Sequence, residues 1–127
     1  MTIKSSKTLI DEALSVVKTI SPEEALKKIK DNQCNLVDIR EIIELQREGA
    51  IEDSFHIPRG LLEFSINQES PYIKELKFDL NKEIVLFCAA GGRSALAAKT
   101  LKDMGFEKVS HIAGGFNLMK DSGFKIK

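Results

Sequence analysis

Apolar and polar positions change period along this chain, and the changes mark out alternating helices and strands. Ser5 to Leu14 reads as a short helix and Val16 to Ile20 as a short strand. Ser21 can then cap a helix with Pro22 at its first position and Glu24 three residues on, and Ala25, Leu26 and Ile29 supply the apolar face. Asn35 to Arg40 is a strand with an apolar core and polar groups at its far end; Glu41 to Glu48 is a helix stopped at Gly49. Phe55 to Pro58 is extended, because Pro58 disfavours helix in the residue before it. Leu61 to Ile66 and Tyr72 to Leu76 are short helices on either side of the polar run Asn67 to Pro71. Glu83 to Phe87 is the central strand, Ala95 to Met104 a helix ended by Gly105, and Val109 to Ile112 another strand. Gly114 and Gly115 open a last short helix towards Lys120. Strands that alternate with helices predict an α/β fold: a mainly parallel central sheet with helices on both faces.

Ligands of such sheets bind beyond the carboxyl ends of the strands. There the apolar run Ile84-Val85-Leu86-Phe87 delivers Cys88 to a loop without bulky side chains, Ala89-Ala90-Gly91-Gly92-Arg93-Ser94, just ahead of a helix. Unpaired N–H groups at a helix start, and successive amides turned inward by glycines, favour an anion. A thiol held there is a candidate nucleophile in its thiolate form. The macrodipole alone is worth roughly 0.3–1 kcal/mol in ordinary cases, so direct amide hydrogen bonds to sulfur must matter more. Cys34, beside Gln33 and Asn35, reads as a small buried hydrophobe or, failing that, a resolving thiol.

Composition adds boundaries. The 127 residues suit one domain, with residues 1–20 an N-terminal extension packed on a domain of residues 21–127. Lys+Arg and Asp+Glu both number 19, which gives no sign of a nucleic-acid surface. No apolar stretch approaches the ~20 residues of a membrane span, and no signal-peptide pattern opens the chain. Two cysteines and two histidines, all far apart, form neither a disulfide framework nor a metal-ligand pattern, so a reduced, cytoplasmic protein without metal or cofactor is expected.

Four segments, in order, carry a family resemblance. They are Asp38-Ile39-Arg40-Glu41, His56-Ile57-Pro58, the loop from Cys88 to Ser94, and Gly114-Gly115-Phe116. From about Ser21 to the C-terminus the chain resembles the single-domain rhodaneses, whose active loop reads Cys-x-x-Gly-x-Arg-Ser. The resemblance implies a sulfurtransferase that takes a sulfane sulfur from thiosulfate or a persulfide and passes it to a thiol or cyanide. Cys88 would carry the sulfur as a persulfide, and the amides from Ala89 to Ser94 would cradle it. Arg93 would bind at the site, bracing the loop against a carboxylate and also favouring the anion. Asp38 and Arg40 would support the site, Arg40 either at the mouth or in a structural ion pair at the strand end. His56 and His111 read as structural. The implied partners are a small sulfur donor and a thiol acceptor, which could be a protein. Ala89 and Ala90 stand where several thiosulfate-using members place positive side chains, so a persulfide donor is at least as good a candidate. Met119 replaces a common Trp, a packing change. Two other readings stay open. One is a non-catalytic interaction or sulfur-carrier module. The other is a phosphatase or arsenate reductase, for which the four residues between Cys88 and Arg93 make a loop one short of Cys-x5-Arg.

Overall fold

Continuous apolar strands can be buried on both faces only if helices cover both, and that requirement organises the molecule. The computed structural model describes residues 2–127. Five strands form one parallel sheet in the order β1-β5-β4-β2-β3, comprising β1 (Lys18–Ile20), β2 (Cys34–Asp38), β3 (Phe55–His56), β4 (Glu83–Phe87) and β5 (Val109–Ile112). Seven helices accompany them: α1 (Ser6–Leu14), α2 (Pro22–Lys30), α3 (Ile42–Glu48), α4 (Leu62–Ser65), α5 (Pro71–Glu75), α6 (Gly92–Asp103) and α7 (Gly115–Met119).

The side-chain parity of β4 sorts the core. Ile84, Leu86 and Cys88 face one cluster with Leu62, Ile73, Ala98 and Leu101 from α4, α5 and α6. Val85 and Phe87 face the other, with Ala25 of α2 and Phe116 and Met119 of α7. Met119 is fully buried there. Capping follows the sequence: Ser21 accepts from the Glu24 N–H at 3.1 Å and Pro22 opens α2. The segment from Leu62 to Phe78 lies on the first of these faces, pinned by a reciprocal pair of bonds between the Asn35 amide and the Asp79 backbone (2.7 and 3.1 Å).

Several boundaries differ from expectation by one or more residues, and three of the shifts have a local reason that bears on the site. Strand β2 stops at Asp38, whose carboxylate accepts the Arg40 N–H at 3.0 Å and bends the chain at Arg40, although the Ile39 N–H still reaches the Phe87 carbonyl at 3.0 Å. The expected helix from Leu61 begins as a 3-10 turn at Arg59–Leu61. Helix α6 starts at Gly92 rather than Ala95, since Gly91 caps it with a left-handed φ of +109°. This last shift brings the amides of the thiol loop into the first helical turn.

Asp38 and Arg40 are completely buried, which places Arg40 in the ion pair at the strand end and not at a mouth. Arg40 Nε and Nη2 donate to the Asp38 carboxylate at 2.8–3.2 Å, and Nη2 also donates to the Gly49 carbonyl at 2.9 Å. The guanidinium lies 4.0 Å from the centroid of the Phe116 ring. Desolvation makes a buried pair a weak net stabiliser, but losing one partner strands the other charge. Replacing Asp38 by Ala should therefore cost about 3–5 kcal/mol of unfolding free energy in urea titrations.

Candidate active site

Strand β4 ends at Phe87, and Cys88 follows at the carboxyl edge of the sheet between β5 and β2. Helix α7 holds the loop from behind. The Phe116 N–H donates to the Cys88 carbonyl (2.8 Å) and the Asn117 N–H to the Ala89 carbonyl (3.0 Å). Gly115 must be glycine for this approach: its φ is +52°, and a Cβ there would strike the Cys88 carbonyl and the Ala89 backbone. With those carbonyls tied to α7, amides further along turn towards the sulfur. Gly91 N–H donates to Cys88 Sγ at 3.1 Å and Ser94 N–H at 3.4 Å. Of the six amides from Ala89 to Ser94 proposed as a cradle, these two point at Sγ itself.

Cys88 is only 1% exposed, beneath a loop whose Ala90 is exposed and whose Ala89, Gly91, Gly92 and Arg93 are half-buried. Cys34 lies beside Glu83 at the opposite end of β4, about 16 Å away along the strand and out of disulfide reach. Burial, followed by the nearby Glu83 carboxylate, pushes the Cys34 thiol up to about 11. Among the described residues, no three His, Cys, Asp or Glu side chains gather closely enough to hold a metal ion.

Arg93 turns away from the sulfur to brace α6 against α3. Its Nη1 and Nη2 donate to the two oxygens of Glu44 at 2.8 and 2.9 Å, and Glu44 also accepts from the Glu41 N–H at 2.8 Å. The Arg93 hydrogen bonds, opposed by partial burial, hold the Glu44 carboxyl down at about 2. Glu44 in turn raises Arg93 above its usual range. Nothing in the linear pattern marked Glu44, whose partner is remote in sequence.

His56 plays the structural part expected of it: Nε2–H donates to the Arg40 carbonyl at 2.7 Å. His111 is less isolated. Its Nδ1 is 2.9 Å from Ser94 Oγ, which lies 3.6 Å from Cys88 Sγ, and its Nε2 is 2.9 Å from Thr19 Oγ1. The alternation of β5 was the available signal, since His111 pairs with Leu86 and shares its face with Cys88.

The Rhodanese-like domain profile matches residues 21–122. The chain belongs to the rhodanese family. Among its relatives is a thiosulfate sulfurtransferase, GlpE, of Pseudomonas savastanoi, 32% identical over 103 residues that make up 81% of this chain and 87% of that one. Another, from Bacillus subtilis, is provisionally named sulfur carrier protein YrkF and is 34% identical over 105 residues. That match takes in 82% of this chain, which spans about half (51%) of the relative's length. A solved structure from Rhodopseudomonas palustris, of unknown function and described as a possible tyrosine phosphatase, is 42% identical with a TM-score of 0.87. It covers 100% of this chain and 98% of its own. The parallel sheet with helices on both faces is thus the rhodanese-like fold.

The Glu44–Arg93 pair yields a stability test. Arg93's side chain is 39% exposed, so solvent screens it and the pair is worth about 1–2 kcal/mol. Because Glu44's folded-state value is depressed, this contribution is complete above roughly pH 5 and disappears as pH falls towards 2. Urea unfolding of Glu44→Gln should show that deficit at pH 7 and a shrinking one below pH ~4.

Proposed function

We propose that this rhodanese-family protein is a sulfurtransferase that holds a sulfane sulfur on Cys88. The observation that carries the reading is the pair of amides, Gly91 and Ser94, aimed at a buried Cys88 sulfur at the head of α6. Such fixed donors meet negative charge on sulfur and exact little reorganisation when it develops. The Cys88 thiolate attacks the outer sulfur of a donor persulfide, forming one S–S bond as the donor's own S–S bond breaks and its thiolate leaves. An acceptor thiolate then attacks the outer sulfur on Cys88, and the Cys88 thiolate returns. No net oxidation of the protein occurs across the cycle. The second sulfur extends about 2 Å beyond Sγ, so the carried atom, rather than Sγ, reaches towards the acceptor.

The loop's electrostatics favour a particular donor. Ala89 and Ala90 bring no charge, and Arg93 is committed to Glu44. A monoanionic persulfide, small-molecule or protein-borne, suits this cradle better than the thiosulfate dianion. The same commitment of Arg93 counts against phosphoryl transfer, where charge on three equatorial oxygens must be met. Two free cysteines fit a reducing compartment such as the cytoplasm. No described helix is long and apolar enough to cross a membrane.

Incubation with cysteine persulfide should add one sulfur to the intact mass, absent in Cys88→Ser, and cyanide or a thiol should release it. Thiosulfate should load the protein more slowly. Failure to acquire sulfur from either donor, with folding intact, would leave a binding module, and hydrolysis of an aryl phosphate without sulfur loading would turn the assignment to a phosphatase.

A further inference from the structure

A hydrogen-bonded chain runs from the buried sulfur to the edge of the sheet. Cys88 Sγ lies 3.6 Å from Ser94 Oγ, Ser94 Oγ 2.9 Å from His111 Nδ1, and His111 Nε2 2.9 Å from Thr19 Oγ1. Ser94 is completely buried and His111 nearly so, while Thr19 is exposed on β1. Thr19 and His111 are register partners on adjacent strands, as are His111 and Leu86, so three neighbouring strands set the chain on the face that carries Cys88. Thr19 also lies outside residues 21–122, the part matched by the family profile.

The heavy-atom distances allow the chain two directions. If His111 carried its proton on Nε2, Nδ1 would accept the Ser94 hydroxyl proton and draw it away from the sulfur. If the proton is on Nδ1, His111 donates to Ser94 Oγ and Thr19 O–H donates to Nε2. The Ser94 hydroxyl proton is then free, and its other recorded acceptor is the Gly91 carbonyl at 3.2 Å. When Cys88 is a thiol, S–H can donate to Ser94 Oγ while the hydroxyl points to Gly91. When the sulfur is anionic, the hydroxyl swings from Gly91 to Sγ and joins the Gly91 and Ser94 amides as a third donor. A negative sulfur orients every dipole of this chain towards itself. Burial lowers the His111 imidazole's affinity for a proton, which keeps the ring neutral with one N–H to place.

We propose that His111 is a positioning residue for the Cys88 sulfur: held as the Nδ1–H tautomer with Thr19 at its far nitrogen, it turns the Ser94 hydroxyl onto the thiolate or persulfide anion. The inference rests on Cys88 as the reacting sulfur, but its test needs no sulfur donor.

Alkylation of Cys88 by iodoacetamide, followed by peptide mass to separate it from Cys34, reads the availability of the anionic sulfur. His111→Leu should slow alkylation about tenfold at neutral pH and leave the rate at strongly alkaline pH unchanged. His111→Asn places an amide N–H where Nδ1–H stood and should restore most of the neutral rate. Thr19→Val, at an exposed edge position that should tolerate it, should slow alkylation about threefold. In the native protein, nitrogen-15 NMR should show His111 as the Nδ1–H tautomer, and Cys88→Ser should weaken that preference. An unchanged neutral rate in both His111→Leu and Thr19→Val overturns the proposal, as does an Nε2–H ring in the protein with ionised Cys88. If His111→Asn is as slow as His111→Leu, the histidine serves packing alone. Where these alkylation and NMR effects appear but no donor loads sulfur, the relay stands and the sulfurtransferase reading falls.

Discussion

Two backbone bonds, from Phe116 N–H to the Cys88 carbonyl and from Asn117 N–H to the Ala89 carbonyl, decide which way the peptides after β4 face. A loop of small residues has many conformations of similar energy, and glycine widens the choice. Tying the first two carbonyls to the start of α7 removes that freedom. Gly91 can then take its left-handed turn, start α6 at Gly92 and send N–H groups inward. The sulfur's environment is therefore set by a helix that follows it by more than two dozen residues. Gly115 makes the contact close enough, and the Arg40 guanidinium stacked on Phe116 ties α7 to the end of β2.

The charges near the sulfur are arranged with the same economy. Arg93 is the nearest full positive charge in the loop, yet both of its terminal nitrogens serve Glu44. It acts as a clamp between α6 and α3, and its field at the sulfur is partly cancelled by the carboxylate it holds. What remains for an anion at Cys88 is mainly dipolar: amides, a hydroxyl and the head of a helix with 12 residues. Fixed dipoles bind a small, singly charged sulfur anion well and discriminate against a dianion that needs a counter-charge.

Helix α1 packs on α6, and strand β1 joins the sheet that carries the site. Strand β1 pairs with β5, and Ile10 of α1 approaches Gly92 so closely that a Cβ there would come within 3.0 Å of Ile10 Cδ1. A side chain at position 92 would press α1 away from the first turn of α6. The N-terminal segment thus packs on the helix start that presents the amides to the sulfur.

Much of this was legible in the residues. Strand-like runs alternating with helix-like ones gave the parallel sheet and its covering helices, because parallel neighbours need crossover connections and those helices cover both faces. The run Cys88 to Ser94 named the thiol loop, because only small residues let backbone amides crowd one atom. The Asp38–Arg40 ion pair was one of two readings that came with the family resemblance, and the structure buries both side chains in that pair. Sequence could not reveal that Glu44 is Arg93's carboxylate, that two amides in particular point at Sγ, or that Thr19 and His111 stand behind Ser94. Those pairings join residues 49, 17 and 92 positions apart. Local pattern reports what each segment prefers by itself, whereas such contacts exist only after strand order and register have brought remote segments onto one face.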